Sequence, residues 1–216
     1  MAASETTTSS YELQDPDVRL MLQVRDDSAV AFEELMLRYQ ARLIRVMEHL
    51  VGRRDLAEDL SQDVFLRIYR ARKRYVPTSK FSTWLFTIAN NVAANAIRSL
   101  SRRREVHVTA EDSGPMSVRP LEQLVAAASG LMPTRQLDKS EMREIVQAAL
   151  GTLSQRQRLA VLLSKFENMS YAEISEIMEL SPPAIKSLLS RARTNLREVL
   201  EPYLQHGQRP NVEPVQ

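Results

Sequence analysis

Residues 170–200, SYAEISEIMELSPPAIKSLLSRARTNLREVL, contain the signals for two helices in close succession. Ser170 and Glu173 have the spacing of a capping box, in which each side chain accepts a hydrogen bond from a backbone N–H group at the helix start. Ser181 is placed to cap a second helix that has Pro182 at its first position, where the missing N–H group of proline is not needed. A short helix, a tight turn and a longer helix predict a helix-turn-helix motif.

Charge within this motif is divided between its two helices. Residues 165–179 carry one basic and four acidic side chains, whereas residues 182–197 carry four basic side chains and no acidic one. The apolar positions of the second helix predict its buried face: Ile185, Leu189, Ala192 and Leu196. The opposite face carries side chains that bind base edges and phosphates: Lys186, Ser187, Ser190, Arg191 and Thr194. Complementarity to the helix dipole is the alternative; it explains Arg193 and Arg197 but not Lys186, which lies near the start of the helix.

The spacing of apolar residues elsewhere predicts further helices. They lie near residues 17–25, 28–50, 54–75, 79–103, 140–150 and 154–166, before the pair at 171–180 and 182–200. Glycines and prolines fall almost entirely between these stretches, as expected of helices with defined ends. No stretch shows the alternation of a β-strand, so the predicted fold class is all-α.

The helices fall into two groups, which predict two small domains. The first is an N-terminal helical bundle at residues 13–104, and the second is a C-terminal helix-turn-helix domain at residues 140–204. Residues 105–139 show little periodicity and predict a flexible acidic linker, since residues 105–142 carry six acidic and three basic side chains. Leu121, Leu124 and Val125 predict one short amphipathic helix within it. Residues 1–12 and 205–216 are expected to be disordered tails.

Composition limits the chemistry of the chain. Its 216 residues include no cysteine and only three histidines, His49, His107 and His206, which are far apart in sequence. We therefore expect no disulfide, no metal site, no cofactor and no catalytic residues. No apolar run approaches the roughly 18 residues of a membrane span, and the N-terminus does not resemble a signal peptide. These features predict a soluble, cytoplasmic protein without membrane insertion.

The helix at 54–75 carries a row of acids. Asp55, Asp59 and Asp63 recur at i,i+4 on one face, where each like-charge pair costs roughly 0.2–0.5 kcal/mol. The helix is acidic at its start and basic at its end, so complementarity to the helix dipole explains much of the pattern. A cationic partner would explain why the acids are tolerated together. The spacing alone leaves both interpretations open.

The helix at 79–103 carries a polar stripe of Asn91, Asn95, Arg98 and Arg102. Asparagine is a poor helix former, so its repetition here, with Asn90 adjacent, favours a functional reason. Asparagine and arginine both hydrogen-bond to base edges, and aromatic rings stack on unpaired bases. Phe81, Trp84 and Phe86 lie near the helix start. Ordinary core packing is favoured for Phe86, while stacking and packing both stay open for Trp84.

These motifs together resemble a known family. AFEEL at 31–35, DLAEDLSQDVFLRIYRA at 55–71 and FSTWLFTIANN at 81–91 are similar to region two of the extracytoplasmic-function (group four) sigma factors of bacterial RNA polymerase. LSQRQR at 153–158, MSYAEI at 169–174 and IKSLLSRAR at 185–193 are similar to region four. The resemblance covers roughly residues 28–104 and 140–200, and the order of the motifs across two modules makes it specific.

The resemblance implies a role for each patch. The acidic patch would bind the β′ clamp helices of core polymerase through Asp55, Glu58, Asp59, Gln62, Asp63 and Phe65. The melted minus-ten element would be bound by Lys80, Phe81, Trp84, Asn91, Asn95, Arg98 and Arg102. The duplex minus-thirty-five element would be bound by Lys186, Ser187, Ser190, Arg191 and Thr194. A non-enzymatic initiation factor with these sites contacts the polymerase β subunit as well, assists promoter melting, threads its linker through the RNA exit path, and is held inactive by an anti-sigma factor.

Two departures from the family pattern bear on promoter choice. Leu188 stands where the family has a basic residue, and Pro183-Ala184 stands where it has a glycine-threonine type turn. Two other functions fit these motifs less well. A stand-alone helix-turn-helix repressor or activator would leave the acidic patch and the asparagine-arginine stripe unexplained. A nuclease needs converging carboxylates, and Asp55, Asp59 and Asp63 lack converging partners.

Overall fold

The computed structural model describes residues 14–110 and 134–206, and within those ranges it contains α-helices and one 3-10 turn but no strand. The N-terminal module comprises α1 (Pro16–Arg25), α2 (Ala29–Val51), α3 (Arg54–Ala71), the 3-10 turn Arg72–Arg74 and α4 (Phe81–Ala110). The C-terminal module comprises α5 (Thr134–Gly151), α6 (Gln155–Lys165), α7 (Tyr171–Met178) and α8 (Pro182–His206). The all-α prediction is confirmed.

Local capping sets the boundaries of the N-terminal helices. The Ser28 hydroxyl accepts from the Ala31 N–H at the start of α2, and Gly52 ends that helix in the left-handed conformation with φ 74°. Asp15 caps α1 through Oδ1, which accepts from the Asp17 N–H at 2.9 Å. Its other oxygen, Oδ2, accepts from the Phe81 N–H at 3.1 Å, so one carboxylate holds the starts of both α1 and α4.

Helix α2 is the centre of the N-terminal module, packed against α1, α3 and α4. The core that these helices share is formed by fully buried side chains: Met21, Leu35, Leu43, Met47, Ile68, Leu85 and Phe86. Leu35, Leu43 and Met47 follow one another at intervals of eight and four residues and so share one face of α2, as expected of an amphipathic helix. The buried face of each helix therefore determines which polar residues remain on the surface.

The C-terminal module carries two capping boxes in succession. Ser154 with Gln157 opens α6, and Ser170 with Glu173 opens α7, as predicted for the second pair. Glu179 in the left-handed conformation, with φ 53°, ends α7 and turns the chain into α8. Ile185, Leu189 and Ala192 are buried, and Leu196 is partly buried against the same core, which confirms the inward face of α8.

Helical structure extends beyond the predicted bounds at three helix ends. Helix α4 continues to Ala110 and α5 begins at Thr134, so both ends of the predicted linker are helical. Helix α8 continues through Pro202 to His206 rather than ending near residue 200. The predicted short helix containing Leu121 and Leu124 lies outside the described residues, as do the predicted tail at 1–12 and nearly all of the one at 205–216.

The two modules contact each other directly. Helix α7 packs against α4, while α6 and α5 contact α2. Buried side chains from both modules form one continuous apolar cluster. The sequence indicated two separate units, and no local pattern in it predicts this contact.

Candidate functional site

The acidic patch, defined as Asp55, Glu58, Asp59, Gln62 and Asp63, lies on the surface of α3. Asp55, Asp59 and Gln62 are exposed, and Glu58 and Asp63 are partly exposed. The helix turns these side chains outward because Ala57, Ser61 and Val64 face the core. The hydroxyl of buried Ser61 donates to the Ala57 carbonyl at 2.7 Å, so the inward face leaves no polar group unsatisfied there.

Arginines neutralise most of this patch. Arg54 Nε donates to Glu58 Oε1 at 3.0 Å, Arg67 pairs with Asp63 at 3.0 Å, and Arg53 pairs with Asp55. The hydrogen bonds from Arg53 and from the Leu56 backbone hold the pKa of Asp55 below its usual range. Such i,i+4 pairs contribute only a few tenths of a kcal/mol, so a partner's cations can displace them. Asp59 makes no ion pair with any described residue and is the one bare carboxylate of the patch.

The family motif placed Phe65 in the polymerase-binding surface, but the structure buries its side chain. Its side chain is only 4% exposed and packs edge-on against Phe32, with ring centroids 6.4 Å apart. As placed, it supports α3 from inside and leaves almost no surface open to a partner. Leu66, which was not predicted, is 52% exposed and lies one turn after Gln62 and Asp63. Leu66 follows Gln62 by four residues and Asp63 by three, and this helical spacing could have identified it from the sequence.

Phe81 is likewise buried, contrary to the expectation that it stacks on bases. It is fully enclosed and contacts the Tyr39 ring at 5.2 Å between centroids. Trp84 is half-buried, 4.8 Å from the Tyr75 ring and 6.1 Å from the Phe81 ring. Phe81 therefore anchors the start of α4, and Trp84 is the aromatic side chain there that keeps an exposed part. Phe86 is buried in the core, as favoured from its sequence position.

The asparagine-arginine stripe, Asn91, Asn95, Arg98 and Arg102, is exposed along α4. Arg98 Nη2 donates to Asn95 Oδ1 at 2.7 Å, which orients both side chains along the helix. Because α4 buries Ala89, Val92 and Ala93, the stripe lies on the opposite side of the helix from the core. The structure thus brings all four predicted residues onto one polar surface.

The recognition face of α8 comprises Lys186, Ser187, Ser190, Arg191 and Thr194. All five are exposed, and neither Lys186 nor Arg191 forms an ion pair within the described part of the chain. The Thr194 hydroxyl donates to the Ser190 carbonyl at 3.3 Å. Arg193 is different, since its Nη2 donates to the Tyr171 hydroxyl at 3.0 Å and so links α8 to α7. The recognition face presents two uncompensated cations beside hydroxyl groups, which suits contact with a DNA backbone and base edges.

Lys80, immediately before α4, and Asn90, in the third turn of that helix, both contact the C-terminal module. Lys80 Nζ lies 2.9 Å from Glu173 Oε1, and Asn90 Nδ2 donates to the Ile177 carbonyl at 3.3 Å. Burial raises the pKa of Glu173, but the hydrogen bonds from Lys80 and Ser170 outweigh it, and the pKa lies below its usual value. Glu173 therefore has two tasks, because its carboxylate also completes the capping box of α7.

Two arginines join the modules on the α2 side. Arg42 Nε donates to Glu167 Oε2 at 2.8 Å, and the Glu167 side chain is only 3% exposed. Arg158 donates to the His49 carbonyl at 3.0 Å across the interface. It also donates to the Leu150 and Gly151 carbonyls, both at 2.8 Å, so it closes the end of α5.

The described residues contain no group of three or more histidine, aspartate and glutamate side chains that could hold a metal ion. In the same part of the chain, none of the helices has the length and apolar character needed to cross a membrane.

Comparison with protein families matches both modules. Residues 35–103 match sigma-70 region 2, and residues 143–196 match sigma-70 region 4. The first match contains the acidic patch and the asparagine-arginine stripe, and the second contains the recognition face.

Individual proteins give the same assignment. RNA polymerase sigma factor CarQ of Myxococcus xanthus is 35% identical over 181 residues, which is 83% of this chain and 95% of that protein. The ECF RNA polymerase sigma factor SigW of Bacillus subtilis is 27% identical over 178 residues, 82% of this chain and 93% of that protein. Among solved structures, the sigma factor RpoE of Bartonella quintana, in complex with the anti-sigma factor NepR, has a TM-score of 0.56. It is 27% identical and covers 79% of this chain and 96% of its own. With regions 2 and 4 in order and relatives matched over nearly their whole length, this chain belongs to the extracytoplasmic-function sigma factors, which direct RNA polymerase to promoters at the start of transcription.

Proposed function

We propose that the chain divides this work among three surfaces. The acidic patch, extended by Leu66, binds the clamp helices of core polymerase. The asparagine-arginine stripe, with Lys80 and Trp84 at the start of the same helix, binds the melted minus-ten element. The recognition face binds the minus-thirty-five duplex. The single observation that supports this division most is that the three sets lie on separate helices, α3, α4 and α8, each on the exposed side.

The physical character of each surface suits its proposed ligand. Asp59 offers a bare carboxylate beside the amide of Gln62 and the exposed Leu66, a mixture typical of protein contacts. The stripe offers amide and guanidinium groups, which can hydrogen-bond to the edges of unpaired bases, while a partly exposed tryptophan can stack on one. Lys186 and Arg191 are free to neutralise phosphates, a contribution that does not depend on base sequence.

On this proposal, the chain consists of two functional units. Residues 13–104 carry the polymerase and minus-ten surfaces, and residues 140–204 carry the minus-thirty-five surface. Like its relatives, the chain acts as a non-enzymatic specificity subunit, in the cytoplasm where polymerase is found. An anti-sigma factor is a further proposed partner, because the RpoE structure contains one.

Binding to core polymerase tests the first assignment. Asp59→Arg and Asp63→Arg are expected to lower affinity for core polymerase at least tenfold, because each places a cation in a patch that binds cations. Asp26→Arg is the matched control, since Asp26 is an exposed acid in the turn between α1 and α2. Far-ultraviolet circular dichroism checks that the helices persist. Equal affinities for all three variants and the wild-type chain would remove the patch from the polymerase interface.

A further inference from the structure

A groove beside α2 has no role in the surfaces assigned so far. It is lined mainly by residues of α2, α5 and the end of α6, and its volume is about 850 Å³. Both modules contribute to its apolar lining: Leu37, Ala41, Ile44, Met142, Val146 and Phe166. The groove therefore offers an apolar surface to which no assigned partner binds.

Three of these apolar side chains are well exposed. Leu37 is 72% exposed, and Met142 and Phe166 are each 41% exposed. Single exposed apolar residues are common, but a group of them in one groove, with polar residues around it, marks a binding site for another apolar surface. The groove is therefore suited to an occupant that has one apolar face.

Residues 121–129, LEQLVAAAS, have such a face in their sequence. Their apolar side chains recur at i, i+3, i+4 and i+7, the spacing of one side of a helix: Leu121, Leu124, Val125 and Ala128. Gly130 and Pro133 follow, where a helix is expected to end. The segment lies outside the described residues and shortly before α5, which contributes Met142 and Val146 to the groove.

We propose that residues 121–129 of the chain itself occupy this groove as a short helix, antiparallel to α5 and joined to it by a turn at 130–133. The inference goes beyond the proposed function and does not depend on it, because it uses only the groove and the segment. Two antiparallel helices joined by a short loop form a hairpin. Counting back from the turn along both helices places Leu121 level with Met142, which lines the groove.

Charge and chain length both favour this occupant. Glu122 is the only acid of the segment and flanks its apolar face. Arg45 lines the groove, is exposed, and forms no ion pair within the described residues, so it can pair with Glu122. Only residues 130–133 separate the segment from α5, and a tether this short gives an effective concentration of roughly millimolar order. The chain's own segment therefore has an advantage over the same segment of a second copy.

Hydrogen exchange of the full chain, followed by mass spectrometry, tests the docking. The amides of residues 121–129 are expected to exchange about tenfold more slowly in the wild-type chain than in Leu37→Asp, which places a charge in the apolar groove. Leu66→Asp is the matched control, because it makes the same change at an exposed leucine of α3 that does not line the groove. It should leave the slow exchange intact. Exchange of the buried part of α2 checks that all three proteins remain folded.

Each outcome of this measurement bears on the proposal. Slow exchange that is lost in Leu37→Asp, kept in Leu66→Asp and independent of protein concentration supports it. Exchange at the rate of an unstructured peptide in the wild-type chain, or equally slow exchange in Leu37→Asp, would overturn it. Slow exchange that appears only as the protein concentration rises would place the segment of a second copy in the groove, and would also overturn it.

Disulfide cross-linking gives a second measurement, because the chain contains no cysteine of its own. Leu37→Cys is combined in turn with Leu121→Cys and Leu124→Cys on the apolar face of the segment, and the disulfide yield in the monomer is measured under mild oxidation. The matched controls, Gln123→Cys and Ala126→Cys, lie on the opposite side of a helix and should give about tenfold less disulfide. Yields that do not differ between the two sides would overturn the docked helix.

Discussion

Asp15 lies outside every assigned surface, yet its carboxylate joins two helix starts that are 66 residues apart in sequence. Oδ1 caps α1 at the Asp17 N–H, and Oδ2 accepts from the Phe81 N–H at the first residue of α4. A capping side chain stabilises a protein by about 1 kcal/mol. Asp15→Ala removes both acceptors and is therefore expected to lower the free energy of unfolding by about 2 kcal/mol.

Two other variants separate the double cap from an ordinary one. Ser28→Ala removes the single cap of α2 and is expected to cost about 1 kcal/mol. Asp15→Asn keeps one carbonyl oxygen and loses the other acceptor, so it should cost about 1 kcal/mol, close to Ser28→Ala and about half the cost of Asp15→Ala.

Urea unfolding followed by tryptophan fluorescence measures these differences at the relevant place. Trp84 is the only tryptophan of the chain and lies one turn after Phe81. For an m-value of about 2 kcal/mol per M, the Asp15→Ala midpoint should fall by about 1 M urea. The same variant should weaken minus-ten oligonucleotide binding and leave minus-thirty-five binding unchanged. If Asp15→Ala costs no more than Ser28→Ala, the carboxylate does not cap both helices.

Three further predictions concern the surfaces and their interface. Lys186→Ala and Arg191→Ala should each weaken minus-thirty-five binding and reduce the slope of log affinity against log salt by about 0.9 per lost phosphate contact. The control Arg70→Ala, on α3, should change neither the affinity nor the slope. If the slopes of the two variants equal that of the wild-type chain, these cations do not contact phosphates. Leu66→Asp should weaken core polymerase binding. Phe65→Leu should lower the free energy of unfolding in urea with little effect on polymerase affinity. If Phe65→Leu weakens polymerase binding and Leu66→Asp does not, Phe65 and not Leu66 belongs to the polymerase interface. Burial lowers the pKa of His49, with Arg158 and Arg45 adding to the effect and Glu48 opposing it, so the free energy of unfolding in urea should be greatest above pH 6.5 and should decrease as the pH falls below that value. A flat pH response, or one identical in His49→Gln, would contradict this.

Local signals were sufficient for the helices and for the exposure of the polar side chains predicted on α4 and α8. The capping box at Ser170 and the apolar spacing of Ile185, Leu189 and Ala192 depend only on residues within one or two turns. Such patterns determine which side of α8 is buried, and hence that Lys186 and Arg191 are exposed. The stripe on α4 was predictable for the same reason.

Phe65 and Phe81 were predicted to contact partners because of their residue type, and the structure buries both. Both are aromatic and lie within motifs that carry function in the family, which favoured partner contacts. Helical register pointed the other way, because Phe65 continues the buried positions Ser61 and Ile68, and Phe81 continues to Leu85. Periodicity was the better guide than chemical character at these two positions.

Contacts between distant residues could not be predicted from spacing. Asp15 reaches Phe81 across 66 positions and Arg42 reaches Glu167 across 125. Each requires the packing of several helices to be known first. Asp15 before Pro16 has the local pattern of a helix N-cap, but nothing nearby in the sequence indicates its second helix, and Arg42 resembles an ordinary surface charge. The acids at 165–179 were visible in the sequence, but their partners were not.

Promoter-specific transcription tests the central claim most directly. Core RNA polymerase supplied with this chain and a library of promoters should start transcription at defined positions, on templates that share two elements about two DNA turns apart. Asp59→Arg should abolish those transcripts, and Asp26→Arg should leave them intact. Absence of specific transcripts with the wild-type chain, together with tight binding of the free protein to a palindromic duplex, would contradict the account and favour a stand-alone helix-turn-helix regulator.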